Sequence, residues 1–260
     1  MSELANKLLL GSQEILLLST RAAEGYANDY PVSSMINVPI IAMKIAMSLG
    51  YNKSKLVELG SCAFLANVGM VKLLPIVASK TKLKYKEYGE VKKHPLYGAE
   101  ILETLGFPEN YVKVALQHHE REDGSGYPNG LKGKEIHEFA RIVGLSEVVE
   151  SMSHNRAHRP FVPIHEVVRE VVENLRALFS PRIVRALVKA LGIFPVGTEV
   201  TLSSGETAKI IRNNPDSSLR PVVQVFGKPE DDNIVGRPKI IDLMEKPFIY
   251  IKGPSKGKVS

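Results

Sequence analysis

The stretch His118-His119-Glu120-Arg121-Glu122-Asp123-Gly124-Ser125-Gly126-Tyr127-Pro128 carries more information than any other part of the chain. Two adjacent histidines lie near the end of an apolar segment, Glu109–Arg121, that reads as a helix. A loop punctuated by Gly124 and Gly126 follows and closes on Tyr127-Pro128. Neighbouring residues on a helix project about 100° apart, so both imidazoles can lean toward one centre. Neutral imidazole is the commonest metal ligand. A bare pair leaves a second reading open, with one ring in the core and the other facing solvent.

Working outward, apolar spacing predicts a series of helices. Upstream they are Leu4–Gly25, with Leu8, Ile15, Leu18 and Ala22 in step, Val38–Leu49 stopped by Gly50, Ser54–Leu65, and Pro95–Leu105 stopped by Gly106. Ser54 is the expected cap of its helix, with Glu58 one residue beyond capping-box spacing. Downstream come Ile136–Met152, Ile164–Phe179, and Pro181–Leu191 with proline at its first position. After Gly192 the pattern changes. Gly197–Leu202 and Thr207–Arg212 are β-branched runs around Ser203-Ser204-Gly205-Glu206, a hairpin signal, and Pro221–Phe226 is a third strand. The expected fold is mainly α, a helical bundle with a small C-terminal β appendage. Its expected divisions are an N-terminal helix (1–30), a helical domain (31–192) and a β-containing extension (193–260).

With 260 residues, 44% hydrophobic and 24% charged, the chain has the composition of an ordinary soluble protein. Its longest uncharged runs, Tyr30–Met43 and Leu59–Val71, fall short of the roughly 18–20 apolar residues of a membrane span. Both are broken by Ser, Asn, Pro or Gly, so no membrane partner is expected. Met1–Asn6 carries Glu3 and lacks the order of a signal peptide. Cys62 is the sole cysteine, which excludes an internal disulfide and a thiolate-built zinc site and fits a cytoplasmic location. Net charge is +6, but the basic residues are spread out apart from a local cluster at Lys80–Lys93. That cluster reads as a solvated helix face, and the sequence argues against a nucleic-acid partner.

The eleven-residue stretch resembles, at every specified position, the HHExxDGxGYP signature of the HD-GYP family in the HD phosphohydrolase superfamily. His94-Pro95-Leu96-Tyr97-Gly98 resembles that family's HPxxG element. Ala140-Arg141-Ile142-Val143, leading to Arg156, resembles its ARI…D…DA…R segment. Phe194-Pro195-Val196-Gly197-Thr198, with Leu202, Gly205 and Arg220-Pro221-Val222-Val223, resembles its C-terminal extension. The resemblance runs from about residue 30 to residue 226. It implies an HD-superfamily helical bundle. Active bacterial members of the family cleave cyclic di-GMP with more than one metal ion, usually iron or manganese.

Against that pattern the chain departs at specific positions. Leu65-Ala66-Asn67-Val68-Gly69 matches the family's LHDIG, so Ala66 and Asn67 stand where the His-Asp pair belongs. Ser34, in Ser34-Met35-Ile36-Asn37-Val38, takes the place of an upstream histidine, and Met70 that of a phosphate-facing lysine. Glu147 and Glu150 replace aspartates. The resemblance leaves His94, His118, His119 and Glu147 as metal ligands, Arg156 and Arg159 as ligand-binding cations, and Gly126-Tyr127-Pro128 as an interaction loop for a signalling partner. It implies a degenerate member with no assigned catalytic residue, holding either no metal or one divalent ion (iron or manganese) at a reduced site. The function expected is non-catalytic binding of cyclic di-GMP or a related nucleotide, or signalling interaction, in the manner of a pseudoenzyme. The alternative is a residual metal-dependent phosphodiesterase with a mononuclear site. A homodimer fits the resemblance, though no residue in the sequence fixes it.

Overall fold

The computed structural model describes residues 1–9, 30–77, 85–153, 162, 164–191, 194, 196–214, 217–227 and 239–255. The chain divides into two compact units, Met1–Ala186 and Leu187–Ser260. Among the described residues the first unit is helical: α1 (Ser2–Leu9), α2 (Tyr30–Ser48), α3 (Lys53–Leu65), α4 (Leu74–Val77), α5 (Tyr85–Val91), α6 (His94–Thr104), α7 (Glu109–Gln117), α8 (Glu138–Met152) and α9 (Ile164–Glu173). A tenth helix, α10 (Pro181–Leu191), begins within it. Short 3-10 turns occupy Val68–Leu73, Gly133–Glu135 and Arg176–Leu178.

The core of this unit is built where α2 packs on α3 and α8, and where α7 packs on α3, α6 and α8. In α3, Leu56, Leu59, Gly60, Cys62 and Ala63 form the buried face, at the spacing that an amphipathic helix requires. Its cap is Asn52, whose side chain accepts from the Lys55 backbone N–H at 3.0 Å, not Ser54 as the sequence suggested. Asn at that position satisfies an orphan donor as well as Ser does. Helix α2 starts at Tyr30, well before the expected Val38, and runs through Pro39. The missing proline N–H costs one backbone bond. Burial of Val38, Ile40, Ile41, Met43 and Ile45 outweighs it.

Two more helix ends moved. Helix α7 closes at Gln117, short of Arg121, and α9 at Glu173. Lys53–Ile76 is apolar and long enough to cross a membrane by length and composition alone. It comprises a helix, a 3-10 turn and a second short helix, and Leu56, Leu59, Cys62, Ala66 and Leu73 are buried in the fold. Those are core contacts. The N-terminal helix expected over Leu4–Gly25 falls largely outside the described residues.

The second unit carries a five-stranded antiparallel sheet in the order β4-β3-β2-β1-β5. The strands are β1 (Glu199–Leu202), β2 (Thr207–Asn214), β3 (Ser217–Gly227), β4 (Lys239–Asp242) and β5 (Ile251–Pro254). Alternation along β1 and β2 turns Val200, Leu202, Ala208 and Ile210 inward, against Val223, Val225, Ile241 and Leu243. The β1–β2 turn places Gly205 at φ 85°, a left-handed conformation that explains the glycine. The sequence pointed to three strands. It missed β4 and β5 because each is four residues long and offers too few apolar side chains to show a period.

Candidate functional site

Residues from four segments of the helical unit converge on one point. His94 opens α6 and is buried; its Nδ1 lies 2.7 Å from the Val91 carbonyl oxygen. His118 is the C-terminal cap of α7 and fully buried; its Nδ1 lies 2.9 Å from the Ala115 oxygen and 3.1 Å from that of Val114. A carbonyl can only accept, so Nδ1 carries the proton in both rings and Nε2 presents a lone pair. Those two Nε2 atoms face each other at 3.2 Å.

Burial is the main cause that lowers both rings to about 4, and for His94 the neighbouring His118 adds to it. Both are therefore neutral at pH 7. Two acceptors in contact with no proton between them call for a cation. Two imidazoles bound side by side to one divalent ion, each at about 2.1 Å, place their nitrogens roughly 3.0–3.4 Å apart. The spacing fits an ion.

His119 supplies a third nitrogen, and the ligating atoms of the three histidines all lie within 4.8 Å of one another. Burial holds its pKa well below the ordinary value, followed by the influence of His118 and His94. From α8, the Glu147 carboxylate reaches in with Oε2 3.9 Å from the Nε2 atoms of both His118 and His119. Its other oxygen accepts a 2.5 Å hydrogen bond from the Asn67 side-chain amide. An ionised carboxylate only accepts, so the amide turns its nitrogen toward Glu147. Three imidazoles and a carboxylate are a chemically sensible set for one divalent cation.

The main chain fixes these rings in place. A Cβ built on Gly69 would overlap the His94 carbonyl oxygen, one on Gly144 that of His118, and one on Gly126 that of His119. Each of the three histidines therefore has its carbonyl pressed against a glycine on another segment. Gly69 lies on the 3-10 turn after Asn67, Gly144 on α8, and Gly126 in the loop before Tyr127-Pro128. That loop is also tied by Glu120, whose carboxylate accepts from the backbone N–H groups of Asn129 (2.7 Å) and Leu131 (3.0 Å). The Tyr127 ring stacks on His119, centroids 4.7 Å apart and planes 19° apart.

The structure thus brings His94, His118, His119, Glu147 and Asn67 together, with Tyr127 against them. Gly126 and Pro128 shape the adjoining loop, and the Tyr127–Pro128 bond is cis. Ala66 is completely buried at the end of α3, and Glu150 is buried three residues beyond Glu147. Met70 is partly exposed on the 3-10 turn. Arg156 and Arg159 lie outside the described residues. The two adjacent histidines are not divided between core and solvent. His119 keeps 21% side-chain exposure, yet both rings contact His94. Sequence reasoning passed over Glu120 as an organiser of the loop, and it gave Gly69 and Gly144 no role. Their partners are main-chain atoms distant in sequence, which periodicity does not register.

A family model described as "HD domain" matches residues 13–181. The chain belongs to the HD domain family. A second model, "KOW domain associated with HD domain", matches residues 199–258 of this HD-domain chain. The HD-domain chain is 32% identical over 202 residues to the cyclic di-GMP phosphodiesterase PA4108 of Pseudomonas aeruginosa, covering 77% of this chain and 49% of that protein. It is 29% identical over 169 residues to the 3'3'-cGAMP-specific phosphodiesterase 3 of Vibrio cholerae, covering 65% and 37%. It spans about half or less of the length of these relatives. Its fold is similar to that of Bd1817, an HDG"Y"P protein from Bdellovibrio bacteriovorus, with a TM-score of 0.58 at 18% identity, covering 72% of this chain and 59% of that one. The HD-domain chain is homologous to HD-GYP cyclic di-GMP phosphodiesterases.

Proposed function

We propose that this chain binds a cyclic dinucleotide over a single divalent ion held by His94, His118 and His119, with Glu147 beside it, and lacks the phosphodiesterase turnover of its relatives. The observation that carries the reading is the contact between Asn67 and Glu147. At the position that the family resemblance gives to a metal-bridging aspartate, a neutral amide donates to the nearest carboxylate. Ala66, beside it, offers no lone pair. A shared anionic oxygen is what holds two cations side by side, and neither residue supplies one. The remaining ion would draw phosphodiester oxygens to the three histidines by its charge. Losing a second ion's hold on the transition state commonly costs orders of magnitude in rate. The relatives act on cyclic di-GMP or 3'3'-cGAMP, which supports the ligand class and leaves the base open.

The second reading, a slow one-ion phosphodiesterase, draws on Glu147, whose Oε2 lies close enough to His118 and His119 to serve as a further ligand or as a base. One experiment separates the two. The purified protein is loaded with Mn(II) or Fe(II), its metal content is measured, and cyclic di-GMP is supplied beside a His118→Ala/His119→Ala control. About one ion per chain, with binding and no turnover, is expected. Metal-dependent cleavage that disappears in the control establishes the second reading, and two ions per chain overturns both.

A further inference from the structure

Beside the histidine cluster, two consecutive lysines meet different fates. The Lys93 ammonium is neutralised by the Glu90 carboxylate at 2.8 and 3.0 Å. The Lys92 ammonium has no carboxylate partner among the described residues. It lies over two tyrosine rings instead, 5.5 Å from the centroid of Tyr88 and 5.3 Å from that of Tyr127. Tyr88 is positioned for this one turn back in α5, where its carbonyl accepts from the Lys92 backbone N–H at 3.1 Å. Tyr127 is the ring stacked on His119. One aromatic ring thus touches both a candidate metal ligand and an uncompensated cation.

A ring quadrupole attracts an ammonium and leaves its charge and its three N–H donors in place. Two rings therefore hold Lys92 near one position while keeping it free to bind an anion. Among the described residues, a second cation in this region, Arg121, is engaged. It is largely buried, donates to the carbonyls of His118 (3.2 Å) and Glu120 (2.8 Å), and lies over the Phe179 ring. The three histidines are neutral, Glu147 is anionic, and Met70 carries no charge. Among the described residues, an approaching phosphodiester finds an exposed, donor-bearing cation at Lys92. The basic cluster that reads as a solvated face in the sequence has, in Tyr88, an aromatic residue that anchors one of its lysines.

We infer that Lys92, held between Tyr88 and Tyr127, contacts a phosphate of the cyclic dinucleotide bound at the histidine cluster, with the two tyrosines as positioning residues. This rests on the cyclic-dinucleotide reading given above. The test is calorimetric titration of the metal-loaded 260-residue chain with cyclic di-GMP at two salt concentrations. Lys92→Gln keeps the stem and removes the charge. It is expected to weaken binding about tenfold or more and to flatten the salt dependence, with metal content and thermal midpoint unchanged. Lys92→Arg is expected to bind within about threefold of the parent protein. Lys93→Gln, lacking only the Glu90 ion pair, is expected to bind as the parent does. Tyr88→Leu leaves the charge and removes one ring, and an intermediate loss with the parent's salt dependence marks positioning. Parent-like affinity and salt dependence in Lys92→Gln overturn the subsite and leave the histidine-site reading standing. Absence of binding by the parent protein overturns both.

Discussion

At Asn67 the chemistry turns on one atom. Its amide nitrogen donates to Glu147, and a donor to the carboxylate favours its ionised form in a partly buried place. Asn67→Asp sets two carboxylates against each other there, and like charges at contact distance resist joint ionisation. In chelator-treated protein at neutral pH, the substitution is expected to lower stability by about 1–3 kcal/mol. Mn(II) is expected to restore it, with more ion retained per chain. Melting curves with and without the ion check this; identical curves for parent and variant would show that the contact carries no weight. The three histidines were legible at this scale because a long motif resembles a known one. Their tautomers were not. These depend on the carbonyls of Val91, Val114 and Ala115, and the facing of His94 and His118 spans a separation of 24 residues.

Among the elements, α8 decides how closely Glu147 approaches the rings. Its approach is set by Gly144 against the His118 carbonyl. Gly144→Ala is expected to push α8 away, cost about 1–3 kcal/mol, and weaken metal retention. The contrasting change is Gly89→Ala on α5, where an added Cβ meets nothing within 4 Å. There the better helix propensity of alanine is expected to leave stability equal or up to about 1 kcal/mol higher. Denaturant titration of both variants with metal analysis tests the pair, and equal losses would refute the contact argument. Most helices were readable from apolar spacing, but their ends were less so. Asn52 displaced Ser54 as a cap, α2 began at Tyr30 and not at Val38, and α7 stopped at Gln117. Val68–Leu73 carries no helical period of its own, yet it brings Asn67 to α6.

Over the whole molecule, the distribution of histidines separates the two units. All seven precede the sheet unit, the last being His165. Burial lowers His94 and His118 to about 4, and lowers His119, His137 and His165 in the same direction. Unfolded imidazoles protonate near 6.5, so as pH falls below that value the unfolded chain takes up protons first. The stability this gives up is complete above about pH 6.5, falls as the pH drops, and levels off near 4. Calorimetry of the metal-free chain is expected to show a helical transition that moves to lower temperature across that window. A transition from the sheet unit should stay nearly fixed there, since Asp242 titrates below its ordinary range. A sheet transition that tracks the helical one would refute this separation. The change from helical to strand periodicity after Gly192 made the small C-terminal sheet visible in the sequence. The fourth and fifth strands needed the structure.

The carbonyl-to-glycine contacts under the three imidazoles have one more consequence. They make the placement of the rings a matter of how segments cross, independent of what the pocket contains. Side chains at its rim can then be exchanged over evolutionary time without disturbing the crossings. A scaffold of this kind can keep the shape of a working centre long after its reaction has changed, and it can take up a new task without having to fold anew.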